Sequence, residues 1–344
     1  MSEYRVGIIG CGRPHKTEGS TGYGQAHRHM LGYQASPEAR LVAVADIVEE
    51  NARAFQEQYG AEKSYTDYRE MLEKERLDVV SICTWPHLHA PMVCDAAEAG
   101  VRAIFCEKPM ATTFGDAKRM VTTCEKTGAL LAFCHQRRFN PVFRKAKEIL
   151  KSGAIGELRR LEASCSNLFD WGTHWFDMLF YYNDETPVEW VIGQIDIRDT
   201  RPVFGAPCEG QGLSHFKYRN GVRGLMITGY EADLGASNRL IGTDGVIEVG
   251  VAGGPDLRVW TKGSAGWETV PVEGGLHGSD GFRLGVLDLL DALKTGREPE
   301  LSGRRAFQAT ELIFATYESS RRRGRVDLPL EIEDSPLQEM LDQA

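Results

Sequence analysis

Two short segments of this sequence carry side chains that could move a proton and a hydride. Glu107-Lys108-Pro109 follows the apolar run Val101–Cys106, and Asp170-Trp171-Gly172-Thr173-His174 opens a helix-like stretch. A neutral imidazole can accept a hydroxyl proton while the carbon loses hydride. A nearby ammonium stabilises the developing alkoxide and disfavours protonation of the imidazole. The two segments together could therefore support oxidation of an alcohol.

Local features of both segments favour fixed positions for these side chains. Lys108 precedes a proline, which disfavours a helical backbone and favours an extended exit from a strand. Asp170 and His174 are four residues apart, so they share one face if a helix begins here. Each position also has a structural alternative: a solvated loop lysine, a helix N-cap and a buried histidine, respectively.

The elements that must position these groups alternate between strand and helix from Arg5 to Cys134. Amphipathic stretches separate five short apolar runs, which predict buried parallel strands. The runs are Val6–Ile9, Leu41–Ala45, Val79–Cys83, Ala103–Cys106 and Leu130–Phe133. This alternation predicts a doubly wound parallel sheet of the Rossmann type over residues 1–135.

After Pro141 the pattern changes to strands with few helices between them. Predicted strands are Leu158–Ala163, Trp190–Ile197, Leu213–Tyr218, Arg223–Thr228, Asn238–Ile241, Val246–Val249, Arg258–Trp260 and Val326–Leu328. Predicted helices are Pro141–Lys151, Gly172–Tyr182, Phe282–Leu293 and Gly303–Arg322. These elements predict a C-terminal α/β domain, residues 136–344, with an open and mainly antiparallel sheet.

A glycine turn after the first strand predicts a dinucleotide site. Gly10 makes the bend, and Gly12 lets the backbone approach a pyrophosphate at a helix N-terminus. The usual third glycine is absent, because His15 stands there; we interpret Gly24 as that glycine, displaced by an insertion from Arg13 to Tyr23. A glycine-rich loop without a ligand is the alternative.

The residue after the second strand, Asp46, predicts NAD rather than NADP. A carboxylate here accepts hydrogen bonds from the ribose hydroxyls and repels a 2′-phosphate. A helix N-cap is the alternative, and the two roles can coexist. Arg13 or Lys16 of the insertion could nevertheless reach a phosphate.

The loop after the fourth strand holds Thr84, Pro86 and His89, which we expect to border the nicotinamide. His87 and His89 suggest a metal, but carboxylate partners are not apparent nearby in the sequence. We therefore predict no metal site.

The ordered set of motifs resembles the Gfo/Idh/MocA family of sugar and polyol oxidoreductases over essentially the whole chain. It comprises Gly10-x-Gly12, Thr84-x-Pro86-x-x-His89, Glu107-Lys108-Pro109, Asp170-x-Gly172-x-His174-x-x-Asp177 and Ile241-Gly242-Thr243-Asp244-Gly245. The resemblance implies His174 as general base, Lys108 as the electrostatic and substrate-orienting group, and Asp170 as its partner. It also implies cofactor contacts from Glu107 and Lys108, and substrate contacts from Lys108, Arg137, Trp171 and His174.

The implied activity is NAD-dependent oxidation of a secondary alcohol of a sugar, sugar derivative or cyclic polyol, by a homodimer or homotetramer. Strand Leu158–Ala163 reaches Asp170 after only six residues, a shorter loop than in many relatives. Such a loop could admit a larger glycoside. Two alternatives therefore stay open: a redox-neutral, NAD-retaining glycosidase or lyase acting through a keto-sugar, and a non-catalytic NAD-binding sugar sensor.

Composition excludes several other classes. A net charge of −9 argues against a general nucleic-acid binder. The eight cysteines include no C-x-x-C spacing, which argues against a zinc or thioredoxin-like site of that kind. With no apolar run of membrane-span length and no leader before the first strand, we expect no membrane partner and a cytoplasmic location.

Overall fold

The computed structural model describes residues 3–20, 22–229, 232–276, 278 and 280–344. The backbone divides into two compact units, Met1–Gln136 with Ser279–Phe307, and Arg137–Gly278 with Gln308–Ala344. The first crossing lies one residue from the predicted boundary. The prediction assigns all of residues 136–344 to the second domain, whereas Ser279–Phe307 belongs to the first unit.

The first unit contains a six-stranded parallel sheet. Its strands are β1 Tyr4–Ile9, β2 Ala39–Ala45, β3 Lys63–Tyr65, β4 Val79–Ile82, β5 Ala103–Cys106 and β6 Leu130–Phe133. The order β3-β2-β1-β4-β5-β6 is that of a doubly wound dinucleotide fold, which confirms the predicted Rossmann sheet. Val6, Val80 and Ile104 are fully buried within it, as expected for strands covered on both faces.

Ten helices lie in the described parts of the chain. They are α1 Gln25–Ala35, α2 Glu49–Tyr59, α3 Tyr68–Glu75, α4 Pro86–Glu98, α5 Phe114–Thr127, α6 Pro141–Lys151, α7 Gly172–Tyr182, α8 Asp280–Thr295, α9 Gly303–Arg322 and α10 Pro336–Asp342. A short 3-10 helix, Gln136–Phe139, precedes α6. None of the described helices is long and apolar enough to cross a membrane.

Helix α8 explains the discontinuous first unit. It packs against α1, where a Cβ atom on Gly32 would lie 2.3 Å from the Val286 Cβ. Glycine is therefore required for this close approach. Phe282, Val286 and Leu289 on α8 are buried. The late segment thus completes the first unit, and chain order alone did not reveal this.

The second unit contains a nine-stranded sheet of mixed, mostly antiparallel character, as predicted. Its strands are β7 Leu158–Cys165, β8 Val188–Asp196, β9 Gln211–Tyr218, β10 Arg223–Gly229, β11 Ala236–Gly242, β12 Gly245–Val251, β13 Leu257–Thr261, β14 Glu268–Thr269 and β15 Val326–Asp327. The order is β14-β13-β12-β11-β7-β10-β9-β8-β15, and β10 pairs with β7 in parallel.

One face of this second sheet is covered by helices α7 and α9. On β9, Phe216 packs against Phe176 of α7, and the Ser214 hydroxyl lies 2.8 Å from the Thr316 hydroxyl of α9. Leu213 on the alternate face of β9 remains 43% exposed. The alternation along β9 therefore gives one covered face and one open face.

Candidate active site

The glycine turn after β1 has the backbone geometry that close approach requires. Gly10 has a φ of 84°, and a Cβ atom there would lie 2.8 Å from the Thr84 Cγ2. Gly12 has a φ of 56°, and a Cβ atom there would meet nothing within 4 Å. Gly10 is thus fixed by packing against the β4 loop, while Gly12 borders open space into which a diphosphate could fit.

The insertion after this turn forms a loop whose two ends, Arg13 and Gly24, lie close together. Gly24 has a φ of 59° and precedes α1, and a Cβ atom there would lie 2.6 Å from the Arg13 carbonyl oxygen. The Arg13 guanidinium donates to the Glu18 carbonyl oxygen at 2.9 Å and to Asn51 Oδ1 at 3.1 Å. Arg13 is therefore engaged by its own loop and by α2. Thr21 of the insertion lies outside the described residues.

Asp46 connects the glycine turn to the start of α2. Its Oδ2 accepts from the Gly12 N–H at 2.9 Å, and its Oδ1 accepts from the Val48 N–H at 2.9 Å. The carboxylate thus organises the turn and also supports the N-terminus of a helix, as the sequence allowed.

The loop after β4 is tied to the segment after β5 by His89. Its Nε2 lies 3.1 Å from the Thr84 carbonyl oxygen, and its Nδ1 lies 3.0 Å from the Pro109 carbonyl oxygen. Burial lowers the pKa of His89, partly offset by these backbone contacts. Pro86 begins α4 in the same loop. The ring of His89 therefore positions two predicted site segments, and its direct contact with a cofactor stays a prediction.

Glu107 anchors the backbone beside Lys108 through a buried polar chain. His29 Nε2 donates to Glu107 Oε1 at 2.9 Å, and the Lys108 N–H donates to Glu107 Oε2 at 3.3 Å. The other nitrogen of His29 lies 3.1 Å from the Ser81 hydroxyl. Burial raises the pKa of Glu107, but His29 and Lys108 outweigh it and the net pKa is lowered. Sequence analysis missed His29, because a histidine inside α1 has no distinctive spacing.

In the second unit, Asn167 builds the turn that presents Asp170. Its Oδ1 accepts from the Asp170 N–H at 2.7 Å and from the Trp171 N–H at 3.2 Å. Its carbonyl oxygen accepts from the Gly172 N–H at 2.8 Å, and a Cβ atom on Gly172 would lie 2.9 Å from that oxygen. Both residues are thus needed for this turn, and the role of Asn167 was missed in the sequence.

Asp170 and His174 are brought to the beginning of α7. Asp170 lies in the preceding turn, and His174 lies in the first helical turn with its N–H donating to the Trp171 carbonyl oxygen at 3.1 Å. Both are buried. The N-cap is Trp171, without a side-chain cap, so the N-cap alternative for Asp170 is wrong.

A buried carboxylate, Glu209, supports the same turn. It accepts from the Leu168 N–H at 2.6 Å and from the hydroxyls of Thr228 and Tyr317 at 2.8 Å each. Burial raises the pKa of Glu209, and these hydrogen bonds reduce the shift. Sequence analysis missed this residue, because it lies 41 positions from Leu168.

The structure separates the two tryptophans beside His174 and places Arg137 against both. Trp175 is 4% exposed, whereas Trp171 is 40% exposed and available to a ligand. The Arg137 guanidinium carbon lies 4.3 Å from the Trp175 ring centre and 5.5 Å from that of Trp171. The neighbouring Arg138 instead forms an ion pair with Asp177.

Known proteins resemble this chain first in its N-terminal part. The Gfo/Idh/MocA model, an oxidoreductase family with an NAD-binding Rossmann fold, matches residues 4–135. D-apiose dehydrogenase of Paraburkholderia graminis is 26% identical over 365 residues, which cover 95% of this chain and 90% of that protein. Residues 4–135 thus match this family, and the similarity to D-apiose dehydrogenase extends over most of the chain.

Further similar proteins align over most of the chain. Myo-inositol 2-dehydrogenase of Thermotoga maritima is 27% identical, over 69% of this chain and 71% of its own. The WlbA dehydrogenase of Bordetella pertussis, solved with NADH and UDP-GlcNAcA, is 25% identical with a TM-score of 0.77. That alignment covers 96% of this chain and 100% of WlbA. The second sheet is therefore part of the shared fold.

The predicted site residues fall into two groups. The first unit holds Gly10, Gly12, Gly24, Asp46, Thr84, Pro86, His89, Glu107 and Lys108, and the second holds Arg137, Asp170, Trp171 and His174. Within each group the described contacts bring neighbouring segments together. Joint action of Lys108 and His174 stays a prediction.

One group of possible metal donors occurs in the described residues. Donor atoms of His29, Glu107 and Cys134 all lie within 4.8 Å of one another. Burial raises the pKa of the Cys134 thiol, and the charge of Glu107 raises it further. The thiol thus stays protonated beside the carboxylate, a hydrogen-bonded arrangement rather than a set of charged ligands. The absence of a metal stays a prediction.

Proposed function

We propose that this protein is an NAD-dependent dehydrogenase that oxidises a secondary alcohol of a sugar, sugar derivative or cyclic polyol. The observation that carries the proposal is the buried turn that presents Asp170 and His174 at the start of α7. Relatives that are apiose and inositol dehydrogenases support this substrate class. A homo-oligomer and a cytoplasmic location stay predictions.

The cofactor would be held by the first unit. Gly10 and Gly12 form the turn, and Gly12 borders open space in front of the N-terminus of α1, which favours a diphosphate. Asp46 would accept hydrogen bonds from the adenine ribose. Bound NAD⁺ supplies the acceptor for the hydride that leaves the alcohol carbon.

Within the protein, each predicted catalytic residue has a distinct task. His174 would accept the hydroxyl proton at a ring nitrogen, and Asp170 would orient this site. The Lys108 ammonium would stabilise the developing alkoxide and orient the substrate. Glu107 and His29 would support Lys108 by fixing its backbone, and the Glu107 carboxylate also interacts with its charge.

Replacing the two predicted catalytic residues tests this assignment. Lys108→Ala and His174→Ala should each lower kcat by about 10²–10⁴-fold, because each removes a group that acts on the reacting alcohol. The measurement is NADH formation at 340 nm with inositols, aldoses, anhydrosugars and glycosides. Binding of NAD, followed by titration, should be retained. The exposed Lys126→Ala is the matched control for lysine loss.

Unchanged turnover in both catalytic variants would overturn the assignment. No NADH from any alcohol, with NAD still bound to the wild-type protein, would instead favour redox-neutral or sensor activity. These outcomes are distinguishable because cofactor binding is measured separately from turnover.

The cofactor preference rests on Asp46 and has its own test. NAD should support a higher kcat/KM than NADP, since the carboxylate would repel the 2′-phosphate. Asp46→Ser should lower the ratio of kcat/KM with NAD to kcat/KM with NADP by about tenfold or more, as expected for loss of one charged contact. A wild-type preference for NADP would contradict this part of the proposal.

A further inference from the structure

An aromatic pocket of three rings surrounds the buried guanidinium of Arg137 in the second unit. The Arg137 side chain lies against Trp175, Trp171 and Phe143, with its guanidinium carbon 4.3, 5.5 and 5.9 Å from the three ring centres. Only 7% of Arg137 is exposed. The face of an aromatic ring stabilises a cation, but it does not accept the hydrogen bonds that the guanidinium N–H groups donate in their own plane.

Two polar atoms at this pocket have no hydrogen-bond partner among the described residues. They are Arg137 Nε and the Tyr182 hydroxyl, both buried. The two side chains interact electrostatically. Burial raises the pKa of Tyr182, and the positive charge of Arg137 reduces this rise. Buried polar atoms are normally paired, so an unpaired donor on each of two interacting side chains indicates a missing acceptor.

The charge of Arg137 also has no carboxylate partner in the described part of the second unit. Burial lowers the pKa of Arg137 to about 10, so the side chain is still a cation at neutral pH. Two buried carboxylates of this unit have other partners: Asp177 pairs with Arg138, and Glu209 accepts from neutral donors. The missing acceptor should therefore be an anion.

We propose that Arg137 binds the carboxylate of an acidic sugar, a uronate or an aldonate, and so selects acidic over neutral substrates. The inference rests on the proposed dehydrogenase function and names its substrate class. Trp171 and His174 are three residues apart at the start of α7, a spacing that places neighbours on one helix surface. The anionic end of a substrate would thus lie close to the oxidised alcohol.

A carboxylate fits this pocket better than a phosphate ester does. The guanidinium presents a planar fork that matches the two oxygens of a carboxylate. One cation and one phenol hydroxyl match a monoanion, whereas a phosphate dianion needs more donors.

The test compares substrates that differ only at the proposed carboxylate. The pairs are D-glucuronate with D-glucose, D-galacturonate with D-galactose, and D-gluconate with D-glucitol. The acid of at least one pair should have a kcat/KM about 10- to 100-fold higher than its neutral partner. The first two pairs report on uronates and the third on aldonates. D-glucose 6-phosphate is included, and its selection over all carboxylates would overturn the proposal.

Variants of Arg137 link this preference to the pocket. Arg137→Met should reduce the acid-to-neutral ratio to about one, since the counter-charge is lost. Arg137→Lys keeps a charge without the fork and should give an intermediate ratio. Arg159→Met is the control, because this exposed arginine pairs with Glu157 on the surface and should leave the ratio unchanged. A ratio that persists in Arg137→Met would overturn the proposal.

Binding measurements separate failure of this inference from failure of the proposed function. D-glucuronate and D-glucose are titrated calorimetrically into the NADH-loaded protein, and the acid should bind about tenfold more tightly or better. Tighter binding of D-glucuronate without turnover of any sugar would overturn the proposed dehydrogenase function but support the carboxylate site at Arg137. Turnover of neutral sugars with no gain for acids, in binding or in kcat/KM, would overturn only the anion site.

Discussion

Arg137 and Arg138 are neighbours in the chain, and both are buried, but their surroundings are opposite. Arg138 donates to both oxygens of Asp177, at 2.8 and 2.7 Å, and to Glu185 at 2.5 Å. Arg137 contacts aromatic rings instead. A buried charge that is fully paired serves the fold, whereas one left without a counter-charge can serve a ligand.

The local backbone makes this divergence possible. Both arginines lie in the 3-10 helix Gln136–Phe139. With three residues per turn, consecutive side chains in such a helix leave the axis in directions about 120° apart. One short turn can therefore direct one guanidinium to carboxylates and the next to the aromatic pocket.

Replacing each arginine by methionine should break the comparison most strongly. Arg138→Met leaves two carboxylates without their partner and should lower the free energy of unfolding by about 3–5 kcal/mol. Arg137→Met removes an uncompensated charge, so it should lower the free energy of unfolding by no more than about 1 kcal/mol, and it could raise it. Urea unfolding followed by tryptophan fluorescence reports on the second unit, which contains five of the six tryptophans, all but Trp85.

Equal losses in the two methionine variants would contradict this distinction. Such a result would mean that Arg137 stabilises the fold as Arg138 does. The acid-to-neutral ratio provides the complementary control, because only the Arg137 variants should change it.

A smaller effect concerns Glu209, a buried carboxylate that, like Arg137, has no partner of opposite charge among its described hydrogen bonds. Its pKa is raised in the folded protein, so the native state binds its proton more tightly than the unfolded chain does. This proton linkage favours the fold below the unfolded pKa, about 4.3, and the benefit is lost as pH rises through the folded pKa. Glu209→Gln should therefore gain stability relative to wild type as pH increases from about 4 to 7.

The magnitude follows from the linkage. The relative gain should be about 1.4 kcal/mol for each unit by which the folded pKa exceeds the unfolded one. Parallel unfolding curves across this pH range measure it. A difference between the two proteins that does not vary with pH would show that Glu209 has the same proton affinity in both states.

Periodicity predicted most of the fold, because long apolar or amphipathic runs have few alternatives. Helices Pro141–Lys151 and Gly172–Tyr182 have the predicted bounds. Short elements gave no such signal: β3, with three residues, and α10 in the acidic tail were missed. The domain assignment of α8 depended on its packing against Gly32, which no local pattern encodes.

The candidate site was predictable where function places distinctive residues in order along the chain. Glycines, a lysine before proline and an Asp-x-Gly-x-His run are such signals. The supporting residues were not predictable, because their partners are distant in sequence. His29 contacts Glu107 across 78 positions, and Glu209 contacts Leu168 across 41. The two adjacent arginines also look alike until their neighbours are known.

The return of α8 to the first unit has a consequence for synthesis on the ribosome. The face of α1 around Gly32 cannot be covered until α8 has emerged, although the parallel sheet strands are made much earlier. At roughly 5–20 residues per second, this delay is on the order of ten to thirty seconds. During that time the nascent N-terminal unit carries an apolar surface that is open to chaperones, and a polypeptide ended after Gln136 would keep it permanently.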